Sequence, residues 1–189
     1  AGAPVCHGSR CVAARPSIAD LLATGEPLLF PGVWDVLSGR LALAAGFRAV
    51  FLSGYCLSAT RLGEPDFGLL TQTEVLETAR RLCLALDAPL VVDIDTGYGN
   101  PFNVERTVTE LVAMGAAGVF LEDQVWPKRC GHMARKRVVP LDEYLPKLRA
   151  ALRARGGAAF HVTARTDARA AVSLDEALAR ARAFADAGA

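Results

Sequence analysis

Short apolar runs recur along this chain, each followed by a break of Gly, Asp or Ser and then by a stretch in which apolar residues return every three or four positions. The runs read as strands buried on both faces, the stretches as amphipathic helices. Ser17 caps a short helix reaching about Ala23, closed by Gly25 and Pro27. Leu28 to Trp34 follows as the first strand, and Asp35 caps a helix whose face is set by Leu37, Leu41 and Ala44 before Gly46 ends it. Ala49 to Leu52 is the second strand, ending at Ser53-Gly54. Tyr55 to Leu70 then reads as a long loop, because Gly63, Pro65, Asp66 and Gly68 are turn residues. Thr71 and Glu74 form a capping box for a helix through Val75, Ala79, Leu82 and Leu86. The third strand, from Leu90, runs into Asp93. After it come a helix from about Asn103 to Met114, a strand from Gly118 to Leu121, a loop to about Pro140, a helix to about Arg155 and a strand from Ala159 to Ala164. Ser173 and Glu176 open a last helix through Leu174, Leu178 and Phe184.

Alternation of this kind argues for a parallel sheet with right-handed crossovers. The polar residues choose among parallel folds. Ser53-Gly54, Asp93 with Asp95, Glu122 to Gln124, and Arg165 to Asp167 stand at the ends of strands two to five. A doubly wound sheet would place such groups only beside its switch point, whereas a closed barrel gathers all its strand ends on one site. The expectation is therefore an α/β chain of the (β/α)8 TIM-barrel class. Five strands do not close such a barrel. Gly46 to Leu52 and Gly115 to Leu121 share one order, an Ala-rich helix end, a Gly, then a strand, and Asp186-Ala-Gly-Ala189 repeats its opening. We therefore expect residues 17–189 to be the first five β/α units of a barrel, with residues 1–16, which show no strong period, as a flexible leader.

With 189 residues, 52% of them hydrophobic, the chain can bury a sizeable core in one domain. The formal net charge of +1 is spread thinly, so neither a nucleic-acid footprint nor a membrane-surface patch is expected, and small acids remain suitable ligands. No apolar run approaches a bilayer span and no signal-like order opens the sequence, so a cytoplasmic location is the expectation. The five cysteines follow no metal or disulfide spacing and read as reduced thiols, with Cys83 in the core.

The chemistry centres on Pro89-Leu-Val-Val-Asp-Ile-Asp-Thr-Gly-Tyr-Gly-Asn100. At period two Asp93 and Asp95 point the same way. Paired carboxylates at the end of a buried strand repel and desolvate badly unless a cation lies between them, and Mg2+ suits such hard oxygen ligands. The competing reading has both aspartates capping the next helix or forming an Asx turn.

Asp93 to Asn100, Glu122-Asp-Gln-Val-Trp-Pro-Lys-Arg-Cys-Gly-His132, Ala164-Arg-Thr-Asp-Ala168, Ser53-Gly54 and Leu62-Gly-Glu-Pro-Asp-Phe-Gly68, in that set, resemble the isocitrate lyase and phosphoenolpyruvate mutase superfamily. The Lys-Arg-Cys-Gly-His form is nearest to its 2-methylisocitrate lyase-like branch. The resemblance implies a Mg2+-dependent carbon–carbon lyase, with Mn2+ as an alternative metal, acting on a small 2-hydroxy di- or tricarboxylic acid and forming a homodimer or homotetramer when full length. It implies that Asp93, Asp95, Glu122 and, from its loop, Asp66 surround the metal, and that Ser53, Gly54, Tyr55 and Arg165 meet a substrate carboxylate. Tyr55 stands where the superfamily has a small residue. Cys130, with Lys128 and His132 beside it, would be the catalytic acid on a gating loop, since basic surroundings favour thiolate and proton transfer. Carboxyphosphonoenolpyruvate phosphonomutase, an oxaloacetate decarboxylase-like activity and a non-catalytic barrel-derived scaffold remain the alternatives.

Overall fold

A computed structural model describes residues 15–189 and, before them, only the backbone of strands β1 (Val5–His7) and β2 (Arg10–Val12). These two pair antiparallel, Val5 opposite Val12, and of the expected leader residues 1–4, 8–9 and 13–14 lie outside the described residues. Helix α1 (Ile18–Leu22) is followed by β3 (Gly32–Val33), α2 (Val36–Ala44), β4 (Val50–Leu52), α3 (Gly54–Arg61), α4 (Gln72–Ala85), β5 (Leu90–Asp93) and α5 (Pro101–Ala113). Then come β6 (Gly118–Glu122), α6 (Leu141–Arg155), β7 (His161–Arg165), α7 (Ala168–Ala171) and α8 (Leu174–Asp186).

Strands β3 to β7 form one parallel sheet in the order β3-β4-β5-β6-β7. Each strand of this sheet lies beside its successor, so among the described residues its winding does not reverse and shows no doubly wound switch point. With right-handed crossovers, a sheet of this order keeps its helices on one face. That is the winding of a TIM barrel over five of its staves.

Side-chain alternation then separates two faces. Val50 and Leu52 on β4, Leu90 and Val92 on β5, Val119 and Leu121 on β6 and Val162 on β7 join the helices in the main core. Their alternates Phe51, Val91 and Phe120 belong to a second cluster, which α1 seals at the amino ends of the strands with Ile18 and Leu21. Phe51 and Phe120 meet edge to face there, 5.0 Å between ring centres. The main core is anchored by Tyr144 of α6, fully buried, whose hydroxyl donates to the Leu121 carbonyl at 2.7 Å and whose ring packs 4.7 Å from that of Phe184. Cys83 is buried in this layer, as its helical spacing predicts.

Four expectations need correction. The first strand is two residues long instead of Leu28 to Trp34, because β3 pairs on one side only, through Gly32 and Val33 with Phe51 and Leu52. The long loop of Tyr55 to Leu70 begins as a helix: the Ser53 hydroxyl accepts from Cys56 N at 3.3 Å, and this cap overrides the turn residues further on. On α2 the leucine face is outside, with Leu37 and Leu41 66% and 62% exposed, while Gly39 and Ala42 pack inward. Gly39 is needed there, since a Cβ would come within 2.6 Å of Leu86 Cδ1. On α8 Leu174 and Leu178 are likewise exposed, and Arg180 and Phe184 carry the packing. Both helices flank an edge strand, so each has a neighbour on one side only.

Candidate active site

One residue beyond its last outward-facing member, each strand from β4 to β7 delivers a polar side chain to the inner face. These are Ser53 after β4, Asp93 on β5, Glu122 on β6 and Arg165 on β7, the last two directly paired in register. The strands thus bring together, at their carboxyl ends, four of the residues marked from sequence. Gly54 lies close behind: a Cβ there would stand 3.2 Å from Asp93 Oδ2 and 3.4 Å from Asp95 Oδ1, so a larger residue would crowd the carboxylates at the start of α3. The first turn of α3 directs its free amides, those of Gly54 and Tyr55, to the same end of the sheet. Tyr55 itself is half exposed.

Asp95 sits at φ 50°, its N–H donating to Asp93 Oδ1 at 3.0 Å while its carbonyl accepts from Glu122 N at 2.9 Å. The backbone so locked turns the carboxylate inward. Lys128, 3% exposed, extends its ammonium from the β6–α6 loop to Asp66 Oδ2 and Asp95 Oδ1, 2.6 Å from each. Only the first contact has hydrogen-bond alignment; Asp95 Oδ1, with Glu122 Oε1 and Tyr98 Oη, is a buried polar atom without a hydrogen-bond partner. Lys128 places a cation between Asp66 and Asp95, where the sequence expectation had one between Asp93 and Asp95. Asp66, expected at the metal, is committed to this ammonium.

Burial and the neighbouring Asp93 charge push the Asp95 carboxyl up to about 7, Lys128 opposing them. Burial likewise pushes Glu122 up to about 8, against the pull of the Arg165 guanidinium. Arg165 Nη1 lies 3.3 Å from Glu122 Oε2 and its Nη2 donates to Asp167 Oδ2 at 3.0 Å, so the guanidinium is paired with a carboxylate on each side.

Cys130 is buried and carried by a loop whose backbone touches the site: its N–H donates to the Asp66 carbonyl at 3.0 Å, and its Sγ lies 3.6 Å from Nδ1 of the exposed His132. Gly131 backs onto Arg165, where a Cβ would be 2.7 Å from Nη2. Below the loop a cleft of about 460 Å3 is lined by Phe67, Gln124, Lys128, Arg129 and Arg135 among others. Sequence reasoning missed Tyr98, whose φ of 60° folds its ring back to the aspartates, and the buried pair of Asp123 with Arg180. The second was legible in part: Arg180 stands four residues before Phe184 and four after Glu176, on one helix face.

Among the described residues no three His, Cys, Asp or Glu side chains form a finished metal cluster. The donor set nevertheless fits a hard divalent cation. Glu122 Oε1 is a buried carboxylate oxygen with no hydrogen-bond partner, Asp95 Oδ1 faces the Lys128 ammonium at 2.6 Å, and Asp93 adjoins them. An uncompensated buried carboxylate is costly, and a cation among these oxygens removes the cost.

A singly wound α/β sheet with its charged residues collected at the carboxyl ends of the strands defines a domain of the barrel type, with one ligand site at that end. The chain belongs to the phosphoenolpyruvate phosphomutase family, whose model matches residues 18–189. It is 54% identical over 86% of its length to the petal death protein of Dianthus caryophyllus and 49% identical over 86% to the chloroplastic carboxyvinyl-carboxyphosphonate phosphorylmutase of Arabidopsis thaliana, covering 51% and 49% of those proteins. To the 2-methylisocitrate lyase of Escherichia coli it is 43% identical, over 89% of this chain and 57% of that one. Among solved structures, oxaloacetate acetylhydrolase in complex with the inhibitor 3,3-difluorooxalacetate superposes with a TM-score of 0.84 at 40% identity, over 88% of this chain and 58% of that one. Phosphonopyruvate hydrolase in complex with oxalate and Mg2+ superposes with 0.80 at 34% identity, over 89% and 58%. The chain thus spans about half the length of the curated relatives it matches.

Proposed function

We propose that the protein is a Mg2+-dependent carbon–carbon lyase that cleaves a small 2-hydroxy di- or tricarboxylic acid of the 2-methylisocitrate type and releases a 2-oxo acid. The observation that carries this reading is the convergence of Ser53, Asp93, Glu122 and Arg165 on one inner face, under a loop that keeps a cysteine out of water. Relatives named as 2-methylisocitrate lyase and a neighbour solved with oxalate and Mg2+ support it.

In this reading Asp93, Asp95 and Glu122 hold the metal, which supplies Lewis-acid polarisation of the bound hydroxy acid. Ser53 and the free amides at the start of α3 take one substrate carboxylate, and Arg165 takes it from the other side with two parallel N–H donors. Lys128 keeps Asp66 and Asp95 in place and balances their charge. A base at the site takes the hydroxyl proton and a cleavage in the retro-Claisen sense follows: the O–H electron pair forms the carbonyl of the departing 2-oxo acid as the carbon–carbon bond breaks, and the electron pair of that bond stays on the other fragment as a carbanion. The Cys130 thiol, with His132 within reach, protonates that carbanion. Fixed charges already aimed at the growing negative charge need no reorganisation during the step.

The test is a coupled assay for 2-oxo acid release from 2-methylisocitrate and other C4 to C7 hydroxy acids by the intact protein with Mg2+. Activity abolished by EDTA, restored by Mg2+ and lost in Cys130→Ser is expected. The 49% identity to a carboxyphosphonate mutase favours a second reading. Turnover of a phosphonate, with no cleavage of any hydroxy acid, would establish it and end the first.

A further inference from the structure

The loop that carries Cys130 is tied down at both ends, and both ties meet on one carboxylate. Asp167 stands just past β7 and is 8% exposed. Its Oδ1 lies 2.9 Å from Nζ of Lys136, at the far end of the loop. Its Oδ2 accepts from Arg165 Nη2 and from Gln124 Nε2, each at 3.0 Å. Gln124 in turn grips the near end of the loop: its Nε2 donates to the Arg129 carbonyl at 2.9 Å, and its Oε1 accepts from Arg129 N at 3.0 Å. Lys136 also donates to the Gly131 carbonyl, next to Cys130.

Asp167 is itself held. Its N–H donates to Asp123 Oδ1 at 3.1 Å, while Asp123 Oδ2 accepts from Thr166 at 2.6 Å and from Arg180 of α8 at 3.0 Å. Arg180 also donates to the carbonyl of Val139, where the loop rejoins the fold. Nothing in this set touches the carboxylates of the proposed metal site except through Arg165.

We propose that Asp167 is a latch: it holds Lys136 and, through Gln124, Arg129, and so keeps the 128–136 loop closed over Cys130 while the same carboxylate aims Arg165. Closure and the aim of the guanidinium then share one carboxylate. When the loop lifts, Asp167 loses Lys136 and Arg165 loses the Gly131 backbone packed against it, while the Asp167–Arg165 pair stays. Asp167, Lys136 and Gln124 are positioning residues; none has to meet the substrate. The inference rests on the lyase reading only for what the closed loop serves, and the latch can be observed without any substrate.

The readout is the rate at which iodoacetamide alkylates Cys130 in the intact protein, resolved from the other cysteines by peptide mass mapping. In the wild type this thiol reacts slowly, being 6% exposed. Lys136→Met should raise the rate at least tenfold, Asp167→Asn should do the same, and the double variant should be no faster than either. Lys136→Arg, which keeps the ion pair, should stay within about threefold of wild type. Lys136→Arg keeps both the charge and the pair with Asp167, so acceleration in Lys136→Met with none in Lys136→Arg reports opening. Cys83, buried in the helix layer, is the internal standard for general loosening and should keep its rate. A Cys130 rate within twofold of wild type in Lys136→Met, or a Cys83 rate rising in step with it, overturns the latch. A protein that cleaves no hydroxy acid yet shows this thiol pattern keeps the latch and loses the lyase reading. A lyase whose Cys130 ignores Lys136 does the reverse.

Discussion

The inner face of the sheet has two ends built on opposite principles. At the amino ends Ala49 and Val91 are sealed by Ile18 and Leu21 of α1, with Phe51 and Phe120 alongside and no charged side chain in the cluster. Two residues further along the same strands, Asp93 is half-buried, Glu122 is buried against Arg165, and Glu122 Oε1 lies within the protein without a hydrogen-bond partner. The first end stabilises by ordinary burial, at roughly 25 cal/mol for each Å2 of apolar surface removed from water. The second opposes folding, since each buried ion costs several kcal/mol that its partners only partly return. The contrast teaches that the charged end is kept for what it binds.

Substitutions at the two ends should therefore separate activity from stability. The largest effect belongs to Glu122→Gln. It should lower turnover by about 1,000-fold, the scale of a lost electrostatic contact in a transition state, as initial-rate assays would show. Because burial already pushes this carboxyl up to about 8, the neutral amide resembles the form favoured at pH 7, and urea unfolding should move by less than about 0.5 kcal/mol. A large loss of stability there would break the comparison. The mirror case is Ile18→Ala at the sealed end, expected to cost about 2–4 kcal/mol in denaturant unfolding while kcat per folded molecule stays unchanged.

Two smaller effects sharpen the picture in the helix layer. Burial raises the Cys83 thiol from 9.0 to about 11. A folded pKa above the unfolded one means the contribution is complete below pH 9, where both states keep the proton, and is lost as the pH rises from 9 towards 11. Wild type should therefore lose roughly 2 kcal/mol more over that window than Cys83→Ala, measured by urea unfolding at each pH. Tyr144→Phe deletes the hydroxyl bond to the Leu121 carbonyl and leaves the ring in place. A cost of about 1 kcal/mol is expected in the same measurement, with little change in activity.

Much of this was legible from the order of residues. Strand and helix succession, the caps at Ser17, Asp35, Thr71 and Ser173, and the inward alignment of Asp93 are local matters. They follow from a side-chain period or from one hydrogen bond between residues three apart. The glycines that let the backbone approach, Gly54 and Gly131, were legible as motif members but not as contacts.

What only the folded molecule decided is which surfaces face one another. Leu37 and Leu41 of α2 and Leu174 and Leu178 of α8 are correctly helical in period yet point outward, because the neighbours of a helix are set by its place at a sheet edge and not by its own pattern. Lys128 reached Asp66 across 62 residues, and Arg180 reached Asp123 across 57. Partnerships of that range leave no local trace in composition or spacing, since a buried charge is stabilised by whatever the tertiary fold brings beside it. The sequence by itself determined the elements and the chemical character of the strand ends; the winding of the sheet decided which charges meet there and which loop lies across them.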